Sequence, residues 1–183
     1  MHRLTSSQIS THFTLQVSPS PITSVTTLSQ TPSQKKKFYK RSTFVTHLPM
    51  NYLYSPTHAW AAEIEPKRWR VGITKFATRM LGEMVDLGFE LNQGDPIKHG
   101  QIIGWLEGFK AISDLYAVIN GQFVASNPLL EKAISGVSDS PYQDGWLYEA
   151  KGEPDPRCMA VDDYAGLLDS TIDKILEQQA SDS

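Results

Sequence analysis

A chain of 183 residues, 40% of them hydrophobic, suffices for one domain with a real core and is too short for two of full size. The formal net charge of −3 conceals an asymmetry: no Asp or Glu precedes Glu63, and residues 1–49 carry six bases, which leaves eleven bases against twenty acids in the rest. An acidic body excludes nucleic acid and anionic membrane as main partners, since both are held by basic surface, and no apolar run approaches the roughly 18 residues that a membrane span requires.

Residues 1–49 are rich in Ser, Thr, Pro and Gln and poor in clustered large apolar groups. They are expected to form a disordered leader that adds nothing to the folded body. Three readings of it stay open. It can be an organellar transit peptide, a solvated tail, or an over-extended gene start with translation beginning at Met50. The basic cluster Lys35–Lys37 and Lys40-Arg41 reads as solvated charge on that leader. The folded domain is accordingly placed at residues 50–183, in the cytoplasm, or in the mitochondrion if the leader is a transit peptide.

From Tyr54 onward, short apolar stretches are broken by Gly, Pro, Asn and Asp, the texture of a β-rich domain. Strands are expected at Ala59–Glu63, Trp69–Ile73, Met84–Phe89, Gln101–Leu106, Asp114–Val118, Gly121–Ser126 and Gly145–Ala150. Thr74 can cap a short helix through about Leu81, with Phe76 and Met80 on one face. Asn127-Pro128 should end a strand and start a turn or short helix around Leu129–Ile134. After Pro154 and Pro156, apolar residues recur at spacings of three and four from Val161 to Leu176. They predict an amphipathic helix over Ala160–Gln178 that docks on the sheet and turns Asp162, Asp163, Asp169 and Asp173 outward.

The chemistry sits in the segment from Gly94 to Val124. One apolar strand runs into Lys110 and another runs out of it, so Lys110 should stand near a hairpin tip with its amine in solvent, where enzymes can reach it from both sides. An exposed lysine in a turn is by itself an ordinary surface charge. The other candidates are weaker. His58 and His99 lie some forty positions apart, with no Ser or Cys nucleophile at a recognisable spacing, and read as structural or surface residues. Trp60, Trp69, Trp105 and Trp146 read as core, and Gly94, Gly100 and Gly104 as turn glycines rather than a phosphate loop. The lone Cys158 has no partner for a disulfide, and it lacks the Cys or His neighbours of a zinc or redox pair.

Glu107, Lys110 and Ala111, followed by Ser113-Asp114-Leu115-Tyr116-Ala117, resemble the lipoyl-attachment segment of glycine cleavage H proteins. The resemblance covers about Tyr54 to Ala150. It includes Tyr54 with His58-Ala59-Trp60, Val71-Gly72-Ile73-Thr74 with Phe76-Ala77, Leu81-Gly82-Glu83, Asp139-Ser140-Pro141-Tyr142, and Gly145-Trp146-Leu147. Ala59 replaces a usual Glu, Gly108-Phe109 a usual Ser-Val, and Val118 a usual Pro.

The resemblance implies a mainly β, barrel-sandwich hybrid of the lipoyl- and biotinyl-domain kind, with short flanking helices and a C-terminal helix. It implies a carrier with no catalytic residues and no metal, with lipoic acid joined covalently to Lys110. Its partners would be a lipoylating enzyme, glycine decarboxylase, aminomethyltransferase and dihydrolipoyl dehydrogenase, between which the arm shuttles the aminomethyl group of glycine. A lipoate relay to oxo-acid dehydrogenase acyltransferases, a biotin carrier and an unmodified binding module are the alternatives.

Overall fold

The computed structural model describes residues 34–181 and begins with a hairpin, β1 (Lys36–Arg41) and β2 (Phe44–Pro49), paired in register from Lys36↔Pro49 to Arg41↔Phe44. There follow β3 (Leu53–Tyr54), β4 (Ala59–Glu65), β5 (Arg68–Ile73), helix α1 (Lys75–Leu81), β6 (Met84–Phe89), β7 (Pro96–Ile97), β8 (Ile102–Gly108), β9 (Ile112–Tyr116) and β10 (Ile119–Ser126). A short helix α2 (Gly136–Asp139), β11 (Tyr148–Pro154) and the long helix α3 (Val161–Ser181) complete the chain. Strands β3-β4-β5-β11-β10-β7 form a six-stranded sheet and β6-β8-β9 a three-stranded one, with antiparallel neighbours throughout. Among the described residues no helix is long and apolar enough to cross a membrane.

The alternation of side chains along β4 shows how the layers are built. Ala59 and Ala61 face the core shared with the three-stranded sheet, where Ile103, Leu106 and Leu115 are buried, while Trp60 and Ala62 face a second core made with α3. A strand covered on both faces has no polar alternation, which is why Ala59–Ala62 reads as a continuous apolar run. Trp60 takes the space beside β5 that only a glycine leaves: a Cβ on Gly72 would lie 2.5 Å from its ring.

Helix α1 begins where the sequence places it, with the Thr74 hydroxyl accepting from the Ala77 N–H. The expected C-terminal helix is present and docked: Val161, Tyr164, Leu168 and Ile172 are buried, and the Tyr164 ring stacks on Tyr54 at 4.6 Å. The strand expected at Gly145–Ala150 starts later, at Tyr148, because the Asn127 amide donates to the carbonyls of Asp144 and Trp146 and holds that approach as a loop. Turns occupy most of Leu129–Ile134, and helix α2 follows them.

The expectation of a disordered leader through residue 49 is corrected by the hairpin; residues 1–33 of that leader lie outside the described residues. Tyr39, Phe44 and Leu48 are buried with Tyr54, Trp60, Phe76 and Tyr164 in the second core. The reading of Lys35–Lys37 and Lys40-Arg41 as solvated charge fails for alternate members of the cluster. Lys37 pairs with Asp162, and Arg41 Nε donates to Asp173 at 2.9 Å, while between them the Tyr39 hydroxyl donates to Asp169 at 2.8 Å. The acidic face of α3 is therefore partly covered by the hairpin's bases. A chain beginning at Met50 would lack both strands and these contacts.

Candidate functional site

Lys110 lies in the tight turn between β8 and β9. Gly108 and Ala111 exchange backbone hydrogen bonds of 2.9 and 3.3 Å across the two-residue tip Phe109-Lys110. This tip is not a free loop. The Phe109 N–H donates to the Glu83 carbonyl and the Lys110 N–H to the Leu81 carbonyl, each at 2.9 Å, so both tip amides are tied to the segment that ends α1. Two glycines permit that approach. A Cβ on Gly108 would lie 2.3 Å from the Leu81 oxygen, and Gly82, at φ 86°, ends α1 in a conformation that side chains disfavour.

The Lys110 side chain is exposed, and among the described residues its amine has no hydrogen-bond or ion-pair partner. Its stem runs over Gly82: a Cβ there would meet Lys110 Cγ at 3.0 Å and Cδ at 3.4 Å. Phe109 and Ile112 beside it are the most exposed large apolar residues of the described chain, at 77% and 69%. The structure thus joins a rigid base to an unengaged amine, an arrangement suited to a covalently attached arm.

Two clefts flank α1 near this turn. One, of about 450 Å³, is lined by Lys110 itself with Gly82, Glu83, Thr78, Arg79, Lys75, Ser138 and the hairpin residues Phe44 and Val45. Arg79 ties the hairpin tip to α1, donating to the Thr43 carbonyl at 3.3 Å and its hydroxyl at 3.1 Å. The other, of about 220 Å³, lies on the opposite side of α1, between Phe76, Met80, Ala59, His58 and the β9 residues Asp114 and Tyr116. Residues 43–45 escaped the sequence reading because they were assigned to the leader. Arg79 carried no signal beyond its place on a short helix.

His58 and His99 are held apart by separate partners. His58 Nδ1 is 2.9 Å from the Tyr164 hydroxyl, which also bonds Thr74 Oγ1 at 3.0 Å, and burial pushes the ring's pKa down to about 4. His99 pairs at the surface with Asn120. Trp60 and Trp146 are buried and Trp69 partly so, as expected, but Trp105 lies on the open face of the three-stranded sheet, its ring spread over Gly88. Gly94 and Gly100 occupy turns at positive φ, whereas Gly104 sits within β8, where its missing side chain lets β6 approach. Burial raises the Cys158 thiol to about 11, which makes it a poor nucleophile.

Comparison with known proteins adds a family to this geometry. The family model described as glycine cleavage H-protein matches residues 52–167. A glycine cleavage system H protein of Corynebacterium jeikeium is 37% identical over 124 residues, covering 66% of this chain and 96% of the relative. A probable glycine cleavage system H protein of Natronomonas pharaonis is 40% identical over 121 residues, covering 66% and 89%. The crystal structure of a glycine cleavage system H protein from Mycobacterium marinum superposes with a TM-score of 0.59 at 29% identity, covering 65% of this chain and 97% of that one. That fold is the mainly β, barrel-sandwich type, and the hairpin at residues 36–49 precedes the part that the family model matches.

Proposed function

The chain belongs to the glycine cleavage H-protein family, and on that premise we propose that it is a carrier whose lipoyl arm, attached to Lys110, serves glycine decarboxylase, aminomethyltransferase and dihydrolipoyl dehydrogenase in turn. The observation that carries this reading is the contrast between the Lys110 backbone, tied to Leu81, and its amine, which has no partner among the described residues.

The residues present fit the group. A lipoylating enzyme needs an accessible primary amine, and Lys110 offers one at the end of a projecting turn. Amide formation removes its positive charge without breaking an ion pair, so modification costs the fold nothing that the structure reveals. When bound, lipoate supplies a dithiolane that is reduced and reoxidised as it takes up and gives off its cargo in partner active sites. This chain's contribution is positional. The clamped turn fixes the pivot, the tether raises the effective concentration at each partner, and the exposed Phe109 and Ile112 offer apolar contact beside the lysine. Catalytic groups on this reading belong to the partners.

The test is peptide mapping of the full chain co-expressed with a lipoylating enzyme. One lipoyl group on Lys110 is expected, and none on Lys110→Arg, since the guanidinium cannot serve as the acylated amine. Glycine–bicarbonate exchange with the cognate decarboxylase should then depend on lipoylation. Modification of another lysine overturns the assignment. Efficient lipoyl transfer to a dehydrogenase acyltransferase without glycine exchange rejects the glycine cleavage role and favours the relay.

A further inference from the structure

We propose that the cleft between α1 and the hairpin binds a small molecule bearing a doubly charged oxyanion, a phosphate ester or a dicarboxylate, held by Lys75, Arg79 and the unmodified Lys110. The site belongs to the bare chain; only its coupling to acylation rests on Lys110 being the lipoylated residue.

Charge is the first observation. Beyond residue 49 the chain carries eleven bases against twenty acids, yet three of those bases line this cleft with a single carboxylate, Glu83. None of the four makes an ion pair among the described residues. Arg79 differs in this from the other described arginines. Arg41, Arg68, Arg70 and Arg157 each pair with a carboxylate, whereas Arg79 donates only to the neutral carbonyl and hydroxyl of Thr43, with its guanidinium 5.8 Å from the Phe44 ring. Lys75 Nζ likewise donates to a neutral group, the Ser138 carbonyl, at 2.7 Å. These bonds hold both cations in place without neutralising them, and they leave most of their N–H donors unused.

A hydroxyl is the second observation. Ser138 Oγ, on the wall contributed by α2, is buried and makes no hydrogen bond among the described residues. Buried polar groups are rarely left so, and this one belongs to the residue whose carbonyl fixes Lys75. A guanidinium fork, an ammonium and a hydroxyl converging on one space supply charge-assisted bonds to several oxygens of one anion. At about 450 Å³ the cleft falls within the ~300–1,000 Å³ typical of small-molecule sites. Phe44 and the half-exposed Val45 give it an apolar side, which suits a ligand with a planar or apolar body behind its anionic head.

Lys110 makes the site sensitive to modification. Amide formation removes one of the three cations, so the acylated chain binds the anion less tightly, and by linkage a bound anion opposes acylation. The ligand thus marks the bare chain and is released as the arm is attached.

The experiment is calorimetric titration of the full, unlipoylated chain with phenyl phosphate and with phthalate, which carry the two kinds of head group on one ring, at an ionic strength held constant with sodium chloride. Saturable binding at one site is expected, and the tighter probe identifies the head group. Lys75→Gln and Arg79→Gln should each weaken binding by about ten-fold or more, as loss of a charged hydrogen-bond donor does, and Ser138→Ala by less. Lys151→Gln removes an unpaired charge elsewhere and should leave affinity unchanged. Thermal midpoints check folding, and Lys75→Gln keeps the Arg79–Thr43 bridge if Arg79→Gln loosens the hairpin. Lys110→Gln and the lipoylated chain should both bind several-fold more weakly than the parent. Heats that do not saturate, or an equal loss with Lys151→Gln, overturn the site. Undiminished binding by Lys110→Gln overturns the part given to Lys110 and its coupling to acylation. A Lys110 left bare by the lipoylating enzyme overturns the carrier reading while the titrations of the bare chain still decide the site.

Discussion

Replacing Leu48 by alanine probes whether the hairpin belongs to the fold. Leu48 is 1% exposed and lies in the core formed by Tyr54, Trp60 and Tyr164, beside Pro49, whose carbonyl accepts from the Tyr54 hydroxyl at 2.7 Å. Removing its isobutyl group forfeits the burial of three carbons and leaves a cavity, for which Leu→Ala costs span about 2–5 kcal/mol. A two-stranded hairpin can settle inward more easily than a central strand, so the lower middle of that range, about 3 kcal/mol, is expected. For a domain of this size each kcal/mol moves the thermal midpoint by about 2–4 °C, giving a drop of about 6–12 °C. Val45→Ala on the same strand, at a half-exposed side chain, should stay within about 0.5 kcal/mol. Calorimetry gives the midpoints, and urea titration with an unchanged slope shows that the loss is one of stability rather than of compactness. A Leu48→Ala midpoint within about a degree or two of the parent would refute the hairpin's place in the core.

Acidification should destabilise the protein through His58. Burial favours its neutral ring, so below about pH 6.5 the unfolded chain takes up the proton first; stability is complete above that value, falls until about pH 4 and then levels. The loss is up to about 3 kcal/mol, and in urea titrations across this range His58→Asn, which tolerates the positive φ, should flatten the slope. Glu149, 5% exposed, accepts from Arg68 and Arg70. Glu149→Ala should cost about 2–3 kcal/mol by urea titration, below the cost of breaking a fully buried pair because both arginines reach water. Gly82→Ala places a side chain at φ 86° against the Lys110 stem, and should cost about 1–3 kcal/mol and slow lipoylation, measured by the time course of intact mass.

Local chemistry made much of the molecule legible from its sequence. Thr74 before Phe76 and Met80 marked a capped helix, and the three-and-four spacing from Val161 to Leu176 marked α3, because capping and helical periodicity depend on near neighbours. The apolar strands running into and out of Lys110 marked the turn, because a hairpin tip lies where two neighbouring strands reverse. The hairpin at residues 36–49 was also written in alternation, with Lys37, Tyr39 and Arg41 on one side of β1 and Phe44, Thr46 and Leu48 on one side of β2. Six residues per strand, surrounded by Ser, Thr and Lys, cannot bury enough by themselves to specify a fold. Only the tertiary structure supplies the covering: Asp162, Asp169 and Asp173, some 130 positions away, pair with the bases, and Phe76 and Tyr164 complete the core. The cleft beside Lys110 is decided in the same way, since its walls come from β2, α1, the β8–β9 turn and α2, segments that no sequence window contains together. Sequence singled out Lys110 through its place between two strands and its resemblance to the attachment segment of the family; what surrounds that lysine depends on long-range packing, where a surface charge on one element becomes the partner of another.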